Sequence, residues 1–364
     1  MTICVNIKSK KYLLHLSIKC KYLKIWFDIL TPKQYLFFEY FIQKLRKQHK
    51  IFATSRKYQQ INDIVKFGSI NPVLIGKHGG GKKSNKMIAS LQRSKLLTKK
   101  IKKFAPDLLI SFCSPEASRV AFDSNIPHIA FSDSPHAKAV MKLSLPFVTK
   151  LLTPWIIPKN DFTLYGIDSK NIIRYKMIDA ALIIKNYKKI KKKNPKSKKI
   201  ILIRPEEVEA AYASKNNKTV KIIKKIVEEF PNEEKIVLSR YENQSKELKK
   251  VFGSNISLFS KPINGQEFLR KTNCFVGSGG TMTAESSLLG IPTISLNSVP
   301  NRIEDYLVKK KLIVRAETSE KISKEVFRAL NDNNFMKKRK IQAKKIISSF
   351  EDPYQILLKT IRTL

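Results

Sequence analysis

The chain has 364 residues, 42% of them hydrophobic, with 12 glycines, a globular composition with room for two ordinary domains that excludes a disordered polymer. Its formal charge of +42 rests mostly on lysine spread along the whole chain, which fits solvated faces under an AT-rich coding bias as well as a polyanion-binding surface. No apolar run approaches the ~20 residues of a membrane span, and Cys4, Cys20, Cys113 and Cys274 lack zinc-site spacing, so free thiols in a reducing, cytoplasmic setting are expected.

Residues 1–21 contain a short apolar stretch, 13–18, in basic surroundings that do not suit a signal peptide, and they read as an extension without function. From Leu23 short apolar runs alternate with amphipathic helices, the pattern of βα units on a parallel sheet. Strands are expected over 23–29, 50–54, 72–75, 108–112 and 128–131, with helices over 35–48, 61–67, 85–104 and 116–124. The runs 143–147 and 151–157, flanked by Lys138, Lys142, Lys150 and Lys159, read either as core or as an amphipathic surface for an anionic membrane.

A lysine-rich stretch with Asn194-Pro195, residues 185–199, marks a linker between a domain over 22–184 and a second over 200–345, with a closing segment over 346–364. The second domain repeats the alternation: strands over 200–203, 235–238, 256–259 and 274–276, and helices over 217–230, 244–252 and 265–271. Two doubly wound, Rossmann-like α/β domains facing one another would hold a ligand between the carboxyl ends of their strands.

Candidate chemistry lies at those strand ends. In Gly277-Ser278-Gly279-Gly280-Thr281-Met282-Thr283-Ala284-Glu285, a strand runs through a glycine turn into a helix, and Gly290-Ile291-Pro292 leads to the next strand. Free N–H groups at that helix start favour phosphate, and Glu285, about one and a half turns in, can accept from ribose hydroxyls; tight packing of helix on sheet is the plainer account. Arg204 ends the first strand of the second domain, where it can meet a diphosphate or pair with Glu206 or Glu207, and Ser239-Arg240 is a weaker candidate of the same kind.

In the first domain, Asp28 follows the first strand, and Gly76-Lys77-His78-Gly79-Gly80-Gly81-Lys82 can wrap an anion through Lys77 and His78 or form an ordinary surface loop. Glu116 in Ser114-Pro115-Glu116, with Asp133 and His136 in Asp133-Ser134-Pro135-His136, can converge at one rim as base and orienter. Ser114 and Asp133 are also good helix caps. His128 reads as a core histidine, and His15 and His49 as surface or junction residues.

The run from Ser278 to Ile294 resembles the nucleotide-binding helix of GT-B glycosyltransferases. It is similar to the GlcNAc transferase that forms lipid II and to UDP-N-acetylglucosamine 2-epimerase. A broader resemblance, from about residue 23 onward, is to the family catalogued as domain of unknown function 354. Ile25-Trp26-Phe27-Asp28-Ile29, Gly76-Lys77-His78-Gly79-Gly80, Ser114-Pro115-Glu116-Ala117, Arg204-Pro205-Glu206 and the Gly277 block carry it. The resemblance implies a GT-B-like fold whose last helix crosses back to the first domain, and a UDP-sugar as substrate with no cofactor and no metal. It aligns Asp133 approximately with a catalytic glutamate of the epimerases. It also places Gln34 where the family pattern Pro-x-His-x-x-Phe-Phe has histidine, and glutamine cannot exchange protons near neutral pH.

The leading expectation is a UDP-sugar-dependent glycosyltransferase in which Ser278 to Met282 hold the phosphates, Glu285 the ribose and Arg204 the leaving charge. Asp133 or His136 would take the proton of a lipid-linked or polysaccharide acceptor, with peripheral contact to an anionic membrane. One alternative is a sugar epimerase that uses Glu116 and Asp133. Another, suggested by Gln34 and the charge, is a non-catalytic protein binding a nucleotide-sugar or, less in keeping with the lysine pattern, a nucleic acid.

Overall fold

Apolar runs too continuous for a half-exposed sheet, such as Leu108–Ser111 and His128–Phe131, form strands buried on both faces in the computed structural model. It describes residues 22–364 apart from 58–60, 62–63, 67, 186–197, 207–217, 240–241 and 260–264. The expected extension 1–21, nearly all of the linker, much of the helix over 61–67, and Arg240 therefore lie outside the described residues.

β1 (Lys24–Asp28), β2 (Lys50–Lys57), β3 (Val73–Lys77), β4 (Leu108–Ser111), β5 (His128–Phe131), β6 (Lys150–Pro154) and β7 (Ile172–Tyr175) make a sheet ordered β3-β2-β1-β4-β5-β6-β7. β8 (Ile200–Arg204), β9 (Glu234–Leu238), β10 (Ser257–Phe259), β11 (Cys274–Gly277), β12 (Thr293–Ser295) and β13 (Ile313–Arg315) make a second, ordered β10-β9-β8-β11-β12-β13. Neighbouring strands pair in parallel throughout. In each sheet the order reverses once, between β1 and β4 and between β8 and β11, and such reversals open a crevice at the carboxyl ends of the strands. The register sets Asp28 beside Ser111 at one reversal and Gly277 beside Arg204 at the other.

β6 and β7 were not expected as strands. Leu151 and Leu152, read as one option for a membrane-facing run, are fully buried in β6 between β5 and β7. Leu145 and Ile157 are buried as well, so most of this segment is core, while Leu143 is left at the surface, 60% exposed. Its short apolar run flanked by lysines satisfies a central strand as readily as an amphipathic patch, and the sheet decides between them.

The Pro32–Leu45 helix shows how local signals fix an element. Thr31 caps it by accepting from Gln34 N, proline occupies the first turn, and Gln34 Oε1 accepts from Leu30 N at 2.6 Å. Its aromatic face packs on Phe112 and Phe131, Phe37 edge to face with both, and Phe38 and Phe41 tilted on Phe112 and Phe131 respectively. On its other side Tyr40 and Lys44 reach Asp352, the cap of the last helix, Pro353–Arg362. The same hydrophobic cluster continues through Ala284, Leu288, Ile303 and Leu307 of the second sheet's layer, so the two sheets share one core region.

Beneath the first sheet's reversal lies a buried ion network. Arg93, on the Lys83–Phe104 helix, is 1% exposed and donates to both oxygens of Asp28, at 2.6 and 3.2 Å. It also donates to Ile75 O and, at 3.5 Å, to Glu116. Thr54 Oγ1 donates to Asp28 Oδ1 and accepts from the Trp26 indole. Removing one partner of such a pair strands a charge out of water. Arg93→Met is therefore expected to lower unfolding stability by ~3–5 kcal/mol in urea titrations. A loss under about 1 kcal/mol would show that Asp28 does not depend on this guanidinium.

Candidate functional site

At the second reversal, β11 ends in Gly277 and the chain turns through Ser278, Gly279 and Gly280 into the Thr281–Leu288 helix. Gly279 and Gly280 have φ of +105° and +85°, a region that L side chains rarely adopt, so the turn requires glycine at both. A Cβ on Gly280 would meet nothing within 4 Å, which leaves open space above the turn. No side chain caps this helix, and its first-turn N–H groups sit at the positive end of the dipole. Ser278 Oγ donates to Pro205 O and Ser298 N to Ser278 O, which ties the turn to the loops after β8 and β12.

Arg204 ends β8 beside Gly277, and its Nη1 donates to Leu238 O at 2.8 Å and Ser239 O at 3.1 Å. These carbonyls at the end of β9 hold the guanidinium at the crevice. Glu206, on the loop after β8, accepts from Ser298 Oγ. Glu285 lies in the second turn of the glycine-opened helix and is buried. Met282 packs against the cluster beneath β8 and β9, so what it offers an anion is its backbone N–H.

Across the first sheet, Asp133 follows β5. Its Oδ2 is 2.5 Å from Lys33 Nζ, and its Oδ1 accepts from Ser134 Oγ at 2.8 Å. Lys33 also lies 3.1 Å from Asp179 Oδ2, and Tyr175 Oη donates to Asp179 Oδ1 at 2.6 Å. Lys33 and Asp133 keep partly exposed side chains, 19% and 16%, whereas Asp179 is sealed at 1%. Burial would depress the Lys33 ammonium, but the two carboxylates outweigh it and raise it above its ordinary value. Burial opposes ionisation of Asp133, yet Lys33 and the Ser134 hydroxyl bring it below the usual carboxylate range. Asp179 is pushed up to about 6, first by burial and then by the charge of Asp133, against the pull of Lys33 and Tyr175. Burial lowers His136 and favours its neutral imidazole, with Asp133 opposing. The arrangement is a pair of carboxylates bridged by one ammonium, with their affinities for a proton pushed apart.

The expected site residues thus divide. Gly277, Ser278, Gly279, Gly280, Thr281, Met282, Glu285 and Arg204 gather at one reversal. Asp133 and His136 stand together, but Glu116 does not join them, because it turns to Arg93 in the network under β1. Asp28, expected in a substrate loop, is wholly buried in that network and cannot contact a ligand. Gln34, also expected there, spends its Oε1 on Leu30 N as part of a helix cap. In the glycine-rich loop Lys77 ends β3 and His78 Nδ1 accepts from Gly80 N. Ser114 is a helix cap, whereas Asp133 is not. His128 is a core residue bonded to Ser111, pushed down to about 3 by burial, and His49 is buried with Nδ1 accepting from Leu23 N.

Lys33, Asp179 and Arg93 were not foreseen. Asp179 had a readable signal, being the one acid in the apolar run Met177-Ile178-Asp179-Ala180-Ala181-Leu182. Lys33 and Arg93 had none among so many cations.

The chain belongs to the family described as Protein of unknown function (DUF354), whose model matches residues 23–363. An uncharacterized protein of Methanocaldococcus jannaschii is 27% identical over 328 residues, which cover 85% of this chain and 92% of the relative. Among solved structures, UDP-GlcNAc 2-epimerase from Neisseria meningitidis bound to UDP-GlcNAc is similar with a TM-score of 0.70 and 14% identity, over 94% of this chain and all of that one (100%). The Methanocaldococcus jannaschii UDP-GlcNAc 2-epimerase in complex with UDP-GlcNAc and UDP has a TM-score of 0.63 and 16% identity, over 89% and 98%. A glycotransferase of kitacinnamycin has 0.59 and 12%, over 90% and 96%. At these identities the likeness is one of fold, and the fold is GT-B-like, with two Rossmann-like domains.

Asp179 carries a pH signature. Its folded value of about 6 exceeds the ~3.9 of an unfolded chain, so between them the folded state holds a proton that the unfolded state lacks. That stabilisation is complete below the unfolded value and is lost as pH rises through the folded one. Asparagine cannot titrate. Relative to the natural protein, Asp179→Asn is expected to be more stable at about pH 7 than at about pH 4, by on the order of 2–3 kcal/mol in urea titrations. Equal differences at both pH values would remove the raised carboxyl from the cluster.

Proposed function

We propose that this protein is a nucleotide-sugar enzyme of GT-B type that binds a UDP-sugar at the second reversal and transfers the sugar to an acceptor held by the first domain. The observation that carries the reading is the uncapped start of the Thr281–Leu288 helix, opened by two positive-φ glycines beside Arg204, with Glu285 one turn further in. That combination suits a diphosphate at the helix start and a ribose at the glutamate. Solved structures of the same fold that hold UDP-GlcNAc or UDP support the choice of base.

In the proposed transfer, an acceptor oxygen attacks the anomeric carbon. The bond to the diphosphate breaks with its electron pair on the leaving oxygen, and the acceptor proton goes to Asp133. Arg204 and the helix dipole stabilise the leaving charge, so the residues supply the electrostatic role without requiring a metal. Lys33, set between Asp133 and Asp179, keeps Asp133 ionised and so able to accept that proton. A lipid-linked or polysaccharide acceptor fits a first domain whose partly exposed cluster faces outward.

One observation favours a second reading. Asp133 and His136 are both partly exposed and stand together, a carboxylate beside a neutral imidazole, which is also what a sugar epimerase needs to remove and return a proton. The pair for that reading is Asp133 with His136, because Glu116 is engaged by Arg93 and Asp179 is sealed.

A thermal-shift series with UDP, UDP-GlcNAc, GDP-mannose, dTDP-glucose and ADP tests both. A uridine ligand at ~100 times its Kd should stabilise the protein by about 2.7 kcal/mol, and Glu285→Ala should lose that shift. No shift with any nucleotide sinks the transferase and the epimerase together. Asp133→Asn should keep binding while turnover falls by ~10²–10⁴-fold. Deuterium entering the sugar from D2O without any acceptor would decide for epimerisation.

A further inference from the structure

The Lys83–Phe104 helix carries a surface that the proposed nucleotide chemistry does not use. It buries a narrow stripe, Ala89, Arg93, Leu97 and Ile101, spaced four residues apart. On the rest of it Met87 is 62%, Ile88 51% and Leu91 65% exposed. At ~100° per residue these three share the face opposite the buried stripe with Lys95, Lys99 and Lys102. The helix has seven lysines and no acid in its 22 residues. Clustered large apolar side chains in water mark an interaction surface.

We propose that this face docks on an anionic lipid bilayer, with Met87, Ile88 and Leu91 entering the interface and the lysines meeting the headgroups. The charge is complementary along the whole helix, and lysine stems can lie along the apolar boundary while their ammonium groups reach anions. A second copy of this chain is a poor occupant, because symmetric packing would set lysine against lysine with no acid between them. A nucleic acid is poorly served too, since the exposed residues are aliphatic and the one arginine is buried. The position also suits a bilayer. The helix connects two parallel strands, β3 and β4, and so runs back against them, which puts Met87 to Leu91 toward the carboxyl end of the sheet, the end that also carries the first domain's candidate cluster. Docking itself does not depend on the nucleotide reading.

The test is sedimentation of the full chain with phosphatidylcholine vesicles, with and without phosphatidylglycerol. Binding is expected only with the anionic lipid. Lys95→Ala and Lys99→Ala should each weaken it roughly fivefold. Met87→Ser with Leu91→Ser should also weaken it at unchanged unfolding midpoint, since both side chains are exposed. Three results would overturn the proposal: no vesicle binding, binding that ignores these substitutions, or a dimer in sedimentation velocity that Leu91→Ser dissolves.

Discussion

A guanidinium without access to water holds the first domain's functional edge together. Arg93 joins five elements at once: its own helix, β1 through Asp28, β2 through Thr54 on the same carboxylate, β3 through Ile75 O, and the helix that begins at Pro115 through Glu116. Two charges taken out of water are tolerable only when their remaining donors and acceptors are satisfied, and here nearly every one has a partner. The network explains why Asp28 and Glu116, both at strand ends, are poor candidates for chemistry. They hold the strand ends in register, so that the next loop, carrying Asp133, can stay partly open.

The two candidate centres are mechanically connected. The Asp179–Lys185 helix packs both on the Pro32–Leu45 helix, which bears Lys33, and on the Thr281–Leu288 helix, which the glycine turn opens. The glycine-opened helix thus lies against the element whose first residue is Asp179. Outside this contact, Arg302 pairs with Asp161, Trp155 stacks on Tyr306 and Phe350, and Glu351 accepts from Lys176 N. These polar and aromatic contacts rim the shared apolar cluster, the kind of boundary that holds two layers together.

Most of the architecture was legible because parallel sheets write themselves plainly. Runs such as Ile200–Arg204 and Cys274–Gly277 leave little choice, and Gly279-Gly280 before a helix marks a crevice. β6 was harder, since a short apolar run between lysines has the same composition on a membrane surface and in a sheet. The charged centres were harder still. Lys33 and Arg93 became significant only when long-range packing brought carboxylates from Asp28, Asp133 and Asp179 to them, over separations that no local period records. Gln34 misled in the opposite sense: a departure from a family pattern looked chemical, and the side chain is spent on a cap.

The scarcity of acid in this chain sharpens its placement. Against 71 Lys and Arg there are only 29 Asp and Glu, yet six acids are buried among the described residues: Asp28, Glu116, Asp179, Glu206, Glu285 and Glu304. Each of them ends or follows a strand at its carboxyl end, and Glu116, Asp179 and Glu304 sit in the first turn of a helix. Helix starts and converging strand-end N–H groups are the places in an α/β fold where a buried carboxylate is least costly. The same positive potential attracts a phosphate. At the second reversal Glu304 is already seated near Gly279, held by Arg315, and burial raises its carboxyl above the ordinary range. Among the outer helices Lys83–Phe104 carries lysine and no acid, whereas Lys218–Glu229, Glu242–Phe252 and Ser319–Asn331 keep acids on their surfaces. Composition sets the overall charge, 71 Lys and Arg against 29 Asp and Glu, and the fold sets its placement: the buried acids sit at strand ends and helix starts, while one outer helix presents lysine with no acid beside it.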